Sequence, residues 1–221
     1  MPQDHKDLAG SRDKELADLL LAGPIVPVIT LERVEDAVPL ARALVAGGLR
    51  LLEITLRTPA AADSAAAIIQ DVPDAIVGIG TVLSPHDLER AQALGARFAL
   101  SPGATPELLE AASRSEMPFI PGIATASELM AALAHGFPTV KFFPAVASGG
   151  IPALKALAGP FPQARFCPTG GIDETNARDW LALSNVVAVG GSWVCQTSDI
   201  RAQAWGEITA KAQRAVMSAK G

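Results

Sequence analysis

The residues able to do chemistry in this chain are few, and most stand at the ends of apolar runs. In Thr139-Val140-Lys141-Phe142-Phe143-Pro144-Ala145 a single lysine sits in an apolar stretch with no charged neighbour in sequence. It is the only lysine between Lys14 and Lys155. Lysine is almost never buried without a partner, so this position needs a reason. A second run, Leu51 to Arg57, alternates in character. As a strand it puts Glu53, Thr55 and Arg57 on one face and Leu52, Ile54 and Leu56 on the other. A free lysine has a pKa of about 10.4, so roughly one in a few thousand is neutral at pH 7. Burial among apolar groups disfavours the ammonium form. A neutral amine can attack a ketone, form a Schiff base and use the iminium as an electron sink. Glu53 is the proton shuttle such chemistry needs, and Arg57 can hold a carboxylate in two parallel hydrogen bonds. The alternative is a structural ion pair of Lys141 with Glu53, in which desolvation offsets much of the Coulomb gain.

These residues need elements to position them. After an N-terminal helix at about residues 11 to 22, short apolar runs alternate with Ala/Leu-rich helical segments. The apolar runs begin at Pro24, Leu51, Ala75, Arg97, Met117, Thr139, Ala164 and Val186. Ser84-Pro85, Thr105-Pro106 and Asp173 read as helix entries, and Gly47, Gly95 and Gly136 as exits. A final helix is expected at about residues 199 to 220. Eight strand–helix units with doubly apolar strands predict an α/β fold, a (β/α)8 TIM barrel in one domain over residues 1–221. An open doubly wound sheet is the runner-up, but it concentrates ligand signals at one crevice. Here unusual residues follow most strands.

Barrel active sites gather at the C-terminal ends of strands. There stand Gly80-Thr81, Ser101-Pro102-Gly103, Lys141 in phase with Phe143, Thr169-Gly170-Gly171 and Gly190-Gly191-Ser192. Loops after the seventh and eighth strands of such barrels bind phosphate through backbone N–H groups, and glycines permit close approach. The same glycines also serve as plain turns. Gly78-x-Gly80 lacks the third glycine of a dinucleotide loop and reads as strand packing. His5, His86 and His135 have no metal-ligand spacing, and Trp180 and Trp193 read as packing residues. Ser148-Gly149-Gly150 reads as a plain loop.

Composition narrows the function classes. A net charge of -5 leaves no basic patch for nucleic acid, and 5% aromatics with no Tyr give no base-stacking platform. The charged start lacks an apolar signal region. The apolar stretch from Leu16 to Ile29 is broken by Gly23-Pro24 and is shorter than the roughly 20 residues of a membrane span. Cys167 and Cys195 have no metal spacing and read as reduced thiols of a cytoplasmic protein.

The chain resembles the bacterial 2-keto-3-deoxy-6-phosphogluconate (KDPG) aldolases, also known as 4-hydroxy-2-oxoglutarate (KHG) aldolases. PIVPVI, ARALVAGGLRLLEITLRT, AIVGIGTVL, SPG, IPGIATASELM, KFFPA, AGPFPQARFCPTGGI and VGGSW carry the likeness, from about Pro24 to Val194. The resemblance implies a metal-free class I aldolase with no cofactor beyond the covalent Schiff base on Lys141, usually a homotrimer. It implies cleavage of KDPG, a small-molecule keto-acid sugar phosphate, in the Entner–Doudoroff route. Aldolases for the galactonate epimer or for 4-hydroxy-2-oxoglutarate are neighbouring readings, and a non-catalytic phosphosugar-binding barrel is the reading from another class. Carried over by position, the Schiff-base lysine is Lys141, the general acid/base Glu53 and the carboxylate-binding arginine Arg57. Thr81 lies near the pyruvyl end, and Pro102 and Phe143 line the pocket. Thr169, Gly170, Gly171, Gly191 and Ser192 border the phosphate or distal hydroxyls. Val146-Ala147-Ser148 departs from the family, where a more polar stretch is expected.

Overall fold

The protein is described here by a computed structural model covering residues 2–20 and 23–220. The expected helix end at residues 21–22 and the side chain of His5 lie outside the described residues. It is an α/β fold with a curled parallel sheet. Helix α1 (Pro2–Leu20) precedes β1 (Ile25–Ile29), a short 3-10 turn and α2 (Ala37–Ala46). There follow β2 (Leu51–Thr55), α3 (Ala61–Asp71), β3 (Ile76–Gly80), α4 (Pro85–Ala93), β4 (Phe98–Leu100) and α5 (Pro106–Arg114). Next come β5 (Phe119–Ile120), β6 (Gly122–Ile123), α6 (Ala126–Ala134), β7 (Thr139–Phe142) and α7 (Gly150–Ala158). The chain closes with β8 (Arg165–Phe166), α8 (Ala177–Leu181), β9 (Val189–Gly191), α9 (Thr197–Arg201) and α10 (Trp205–Lys220).

The strands form a six-stranded sheet, β5-β4-β3-β2-β1-β9, and a three-stranded sheet, β6-β7-β8. This differs from eight continuous strands. The fifth run is cut at Pro121, which has no N–H to give to a ladder. Its first half pairs with β4 and its second with β7. The Pro121 carbonyl still accepts from the Lys141 N–H at 2.8 Å. Beyond β8, isolated parallel bridges join Phe166 to Val186 and Thr169 to Gly190.

Strand periodicity divides the core in two. Ile25, Leu52, Ile54, Val77, Ile79, Ala99, Phe119, Val140, Phe142, Phe166 and Val189 pack in one apolar cluster with residues of the surrounding helices. Val26, Leu51, Phe98, Leu100, Ile120, Cys167 and Ala188 face the other way, onto Leu16, Leu19 and Leu20 of α1. Those leucines recur at helical spacing on one face, and burying each contributes roughly 1.5–3 kcal/mol. Arg12 anchors the same helix. It donates to the carbonyls of Ala112, Ser113 and Ser115 at 2.6, 2.9 and 3.2 Å, at the end of α5, and stacks 5.0 Å from the Phe137 ring.

The N-terminal helix, expected from about residue 11, already begins at Pro2. The other helix signals hold with two exceptions. Ser84 and Thr105 accept from the N–H groups of Asp87 and Leu108 and cap α4 and α5. Asp173 instead opens a turn, accepting from Thr175, and α8 starts four residues later behind Asn176. The expected last helix is two helices. Gln203 takes a left-handed φ of 52°, and the N–H groups of Gln203 and Ala204 return to the carbonyls of Ile200 and Asp199. That is a Schellman closure of α9, which halts the helix before α10 begins.

Candidate active site

Glu53 lies on β2 and Lys141 on β7, strands that are not neighbours in either sheet. Their side chains nevertheless meet: Lys141 Nζ donates to Glu53 Oε1 at 2.8 Å. Both are enclosed, with relative exposures of 3% and 1%. The contact is possible because the sheet curls and both residues point to its concave side, in phase with Leu51 and opposite Val140 and Phe142. Glu53 Oε2 has no hydrogen-bond partner within the chain. A buried carboxylate with one oxygen on an ammonium and the other unengaged is equipped to take or give a proton.

One small residue makes room for the pair. A Cβ at Gly80 would fall 2.2 Å from Glu53 Oε1, so only glycine lets the carboxylate lie over β3. Lys141 has the Phe143 ring beside it, with Nζ 5.6 Å from its centroid. Cys167 faces the same interior; burial dominates its environment and pushes its thiol up to about 12, while Lys141 pulls the other way. The thiol is therefore a neutral wall and not a competing nucleophile.

Toward the mouth, the strand alternation from Glu53 to Thr55 does not continue to Arg57. β2 ends at Thr55, and the Arg57 N–H turns back to the Thr55 carbonyl at 2.8 Å. Arg57 is exposed on this turn and donates from Nε to Thr81 Oγ1 at 3.2 Å. Thr81 holds a φ of 62°, a left-handed backbone that a β-branched residue adopts at a cost of about 1–3 kcal/mol. Such strain gathers at functional sites.

A cavity of about 470 Å³ opens over this region, lined by Arg57, Phe143, Thr169, Gly170, Gly171, Gly191 and Ser192 among others. Gly170 and Gly171 have φ of 101° and 78°, which suits glycine, and a Cβ at Gly190 would strike Thr169 Oγ1 at 2.3 Å. Lys141 Nζ adjoins the lining through the Phe143 ring, but Lys141 and Glu53 are not part of it. Pro102 is not either; its carbonyl packs against Gly122, while Ser101 Oγ accepts from the Gly122 N–H at 3.1 Å and ties β4 to β6. Thr81 reaches the lining through Arg57. The divergent Val146 packs against Gly171, and the Val146 N–H donates to the Gly170 carbonyl at 3.1 Å.

Sequence reasoning missed Thr30, Cys195, Gln196, Thr197 and Ser198, which also line the cavity. Thr30 follows β1 directly, so the rule that directs attention to strand ends already pointed there. Gln196, Thr197 and Ser198 enter as the N-cap and first residues of α9, which the chain order does not place beside the strand ends. Trp180 is buried and faces Phe142 at 6.5 Å, as a packing residue should. His86 and His135 stand at a helix start and a helix end, and no group of metal-ligating side chains occurs among the described residues.

The family model for KDPG and KHG aldolase matches residues 16–211. The KHG/KDPG aldolase of Escherichia coli is 53% identical over 202 residues, covering 91% of this chain and 95% of that protein. A KDPG aldolase from Legionella pneumophila, solved with pyruvate captured at low pH as a covalent carbinolamine intermediate, superposes with a TM-score of 0.89 at 48% identity, covering 90% of this chain and 97% of that one. The Zymomonas mobilis ZM4 aldolase solved with 3-phosphoglycerate gives a TM-score of 0.84 at 44% identity, covering 90% and 93%. With this extent of likeness and a buried lysine–glutamate pair at the centre of its curled sheet, the chain belongs to the KDPG and KHG aldolase family.

Proposed function

We propose that this protein is a class I aldolase that cleaves 2-keto-3-deoxy-6-phosphogluconate to pyruvate and glyceraldehyde 3-phosphate, and 4-hydroxy-2-oxoglutarate to pyruvate and glyoxylate. The observation that carries the reading is the enclosed 2.8 Å contact between Lys141 Nζ and Glu53 Oε1. Transfer of one proton along that bond yields the neutral amine and a carboxylic acid. The amine attacks the C2 ketone, and Glu53 protonates the carbinolamine oxygen so that water leaves and the iminium forms. Glu53, again a carboxylate, takes the C4 hydroxyl proton. The C3–C4 electron pair moves into the iminium, releasing the aldehyde and leaving an enamine on Lys141. Glu53 returns the proton to C3, and water releases pyruvate from the resulting iminium. The ion pair is thus the resting state of the catalyst, not an alternative to it.

Arg57, with Thr81, binds the substrate carboxylate by charge-assisted hydrogen bonds. Phe143 and Pro102 shape the pyruvyl pocket. Thr169, Gly170, Gly171, Gly191 and Ser192 take the phosphate. No cofactor enters any step. The two sheets and the bridges at Phe166 and Thr169 support closure into a (β/α)8 barrel spanning one domain, 1–221. The family likeness supports a homotrimer working in the cytoplasm on the Entner–Doudoroff route; no helix among the described residues is long and apolar enough to cross a membrane. The test is borohydride reduction in the presence of pyruvate followed by peptide mass spectrometry. A three-carbon adduct on Lys141 is expected. Absence of any adduct between about pH 6 and 9, where Schiff-base lysines work, would reduce Lys141 and Glu53 to a structural pair.

A further inference from the structure

Thr30 lines the cavity beside Arg57 and Phe143, and its hydroxyl is not free to rotate. Thr55 Oγ1 lies 2.8 Å from the Ile29 carbonyl and 3.0 Å from Thr30 Oγ1. A carbonyl only accepts, so the Thr55 hydrogen is committed to Ile29. The contact between the hydroxyls must then be donated by Thr30, whose only hydrogen is consumed in turn. Thr55 is fully buried, so solvent does not compete for this chain. Thr30 therefore meets the cavity as an acceptor alone. Elsewhere the lining offers the donor-only guanidinium of Arg57, the glycine turns, and the side chains of Thr169, Ser192, Gln196, Thr197 and Ser198, which can donate as well as accept. An acceptor-only oxygen attracts a substrate hydroxyl and repels a carboxylate or phosphate oxygen.

Its depth locates the group it reads. Thr55 is two residues beyond Glu53 on β2, roughly 6.6 Å nearer the mouth at about 3.3 Å per residue. β1 also runs beside β9, with Pro27 paired to Gly191, and Thr30 shares the cavity lining with Gly170, Gly171 and Ser192, the loops that take the C6 phosphate in the reading above, so Thr30 faces the phosphate-bearing half of the substrate. We infer that Thr30 accepts a hydrogen bond from the C5 hydroxyl of the phosphorylated six-carbon substrate and disfavours 4-hydroxy-2-oxoglutarate, whose C5 is a carboxylate. It is a specificity-determining residue, working by attraction toward one substrate and repulsion of the other. The inference rests on the aldolase reading.

The experiment measures kcat/KM for both substrates by pyruvate release, in wild type, Thr30→Val and Thr30→Ser. The six-carbon to five-carbon ratio is expected to fall about five- to ten-fold in Thr30→Val, the span of one neutral hydrogen bond. Thr30→Ser keeps the hydroxyl and should hold the ratio within about two-fold. An unchanged ratio in Thr30→Val, or an equal fall on both substrates, overturns the inference. Should Thr30→Val not fold, wild-type enzyme with the 5-deoxy six-carbon analogue decides: a comparable loss supports the role, and equal rates with and without the C5 hydroxyl overturn it. A wild type that forms no pyruvate adduct would instead remove the aldolase reading itself.

Discussion

Gly80→Ala isolates the position of one carboxylate. Gly80 ends β3 and pairs with Thr55 of β2, directly beside Glu53. Its backbone lies outside the left-handed region, so alanine meets no backbone strain there. Its new Cβ would stand 2.2 Å from Glu53 Oε1, 2.6 Å from Cγ and 2.7 Å from Cδ, where ordinary contact begins at 3.4 Å. The carboxylate must retreat by about 1 Å, which carries Oε1 from 2.8 Å to beyond hydrogen-bond range of Lys141 unless the lysine follows it. A misplacement of that size costs on the order of 10²-fold in rate, or about 2.7 kcal/mol of transition-state stabilisation. The fall should appear in kcat, because Arg57 and the glycine loops that hold the two ends of the substrate are untouched. Overpacking should also lower stability by about 1–3 kcal/mol, or very roughly 3 to 10 °C in Tm for a chain of this size. The assay couples pyruvate release to NADH oxidation by lactate dehydrogenase, with circular dichroism melts on the same samples. A folded Gly80→Ala enzyme with kcat within about three-fold of wild type would refute the argument that Glu53 must sit where β3 leaves room for it.

Lys141→Met should abolish the borohydride-trapped adduct and, by leaving Glu53 buried and unpaired, lower stability by about 3–5 kcal/mol; adding Glu53→Leu should restore most of the loss in urea titrations. If the single variant is as stable as wild type, the pair is not the strongly coupled contact described. Burial pushes Cys167 and Cys195 up to about 12 from an ordinary 9.0. The folded thiols stay neutral where unfolded ones ionise. The stability they contribute is therefore fully present below about pH 9 and lost as pH rises toward 12. Urea midpoints should fall between pH 8 and 10.5 in wild type and fall less in Cys167→Ala/Cys195→Ala; identical slopes would refute it, and no tyrosine titrates to obscure the comparison. Arg12→Ala strips three carbonyls at the end of α5 of their buried donor and should cost about 2–3 kcal/mol, read as a drop in Tm, with kcat at low temperature retained. An unchanged melting curve would mean that α1 is held by its leucines alone.

Much of this molecule is legible in the chain. The strand–helix alternation, the parallel sheet and the caps at Ser84 and Thr105 follow from local periodicity and side-chain chemistry, which act over a few residues. The anomaly of one lysine among Val140, Phe142 and Phe143 is equally local, because the cost of burying a charge is visible without knowing its partner. What the linear order does not contain is distance. Glu53 and Lys141 are 88 residues apart, and no rule of spacing says that their side chains touch. The cut at Pro121, the turn that swings Arg57 off the β2 alternation and the Schellman closure at Gln203 each depend on hydrogen bonds to groups outside the segment or on a backbone conformation that several residues could adopt. The acceptor polarity of Thr30 is further from the sequence still, since it depends on where Thr55 spends its single hydrogen. Residue types and their periods determined by themselves which groups could react and which faces would be buried. Only the curl of the sheet decided that Lys141 and Glu53, named together from sequence, touch across the interior, because that contact belongs to the tertiary fold and not to any stretch of chain.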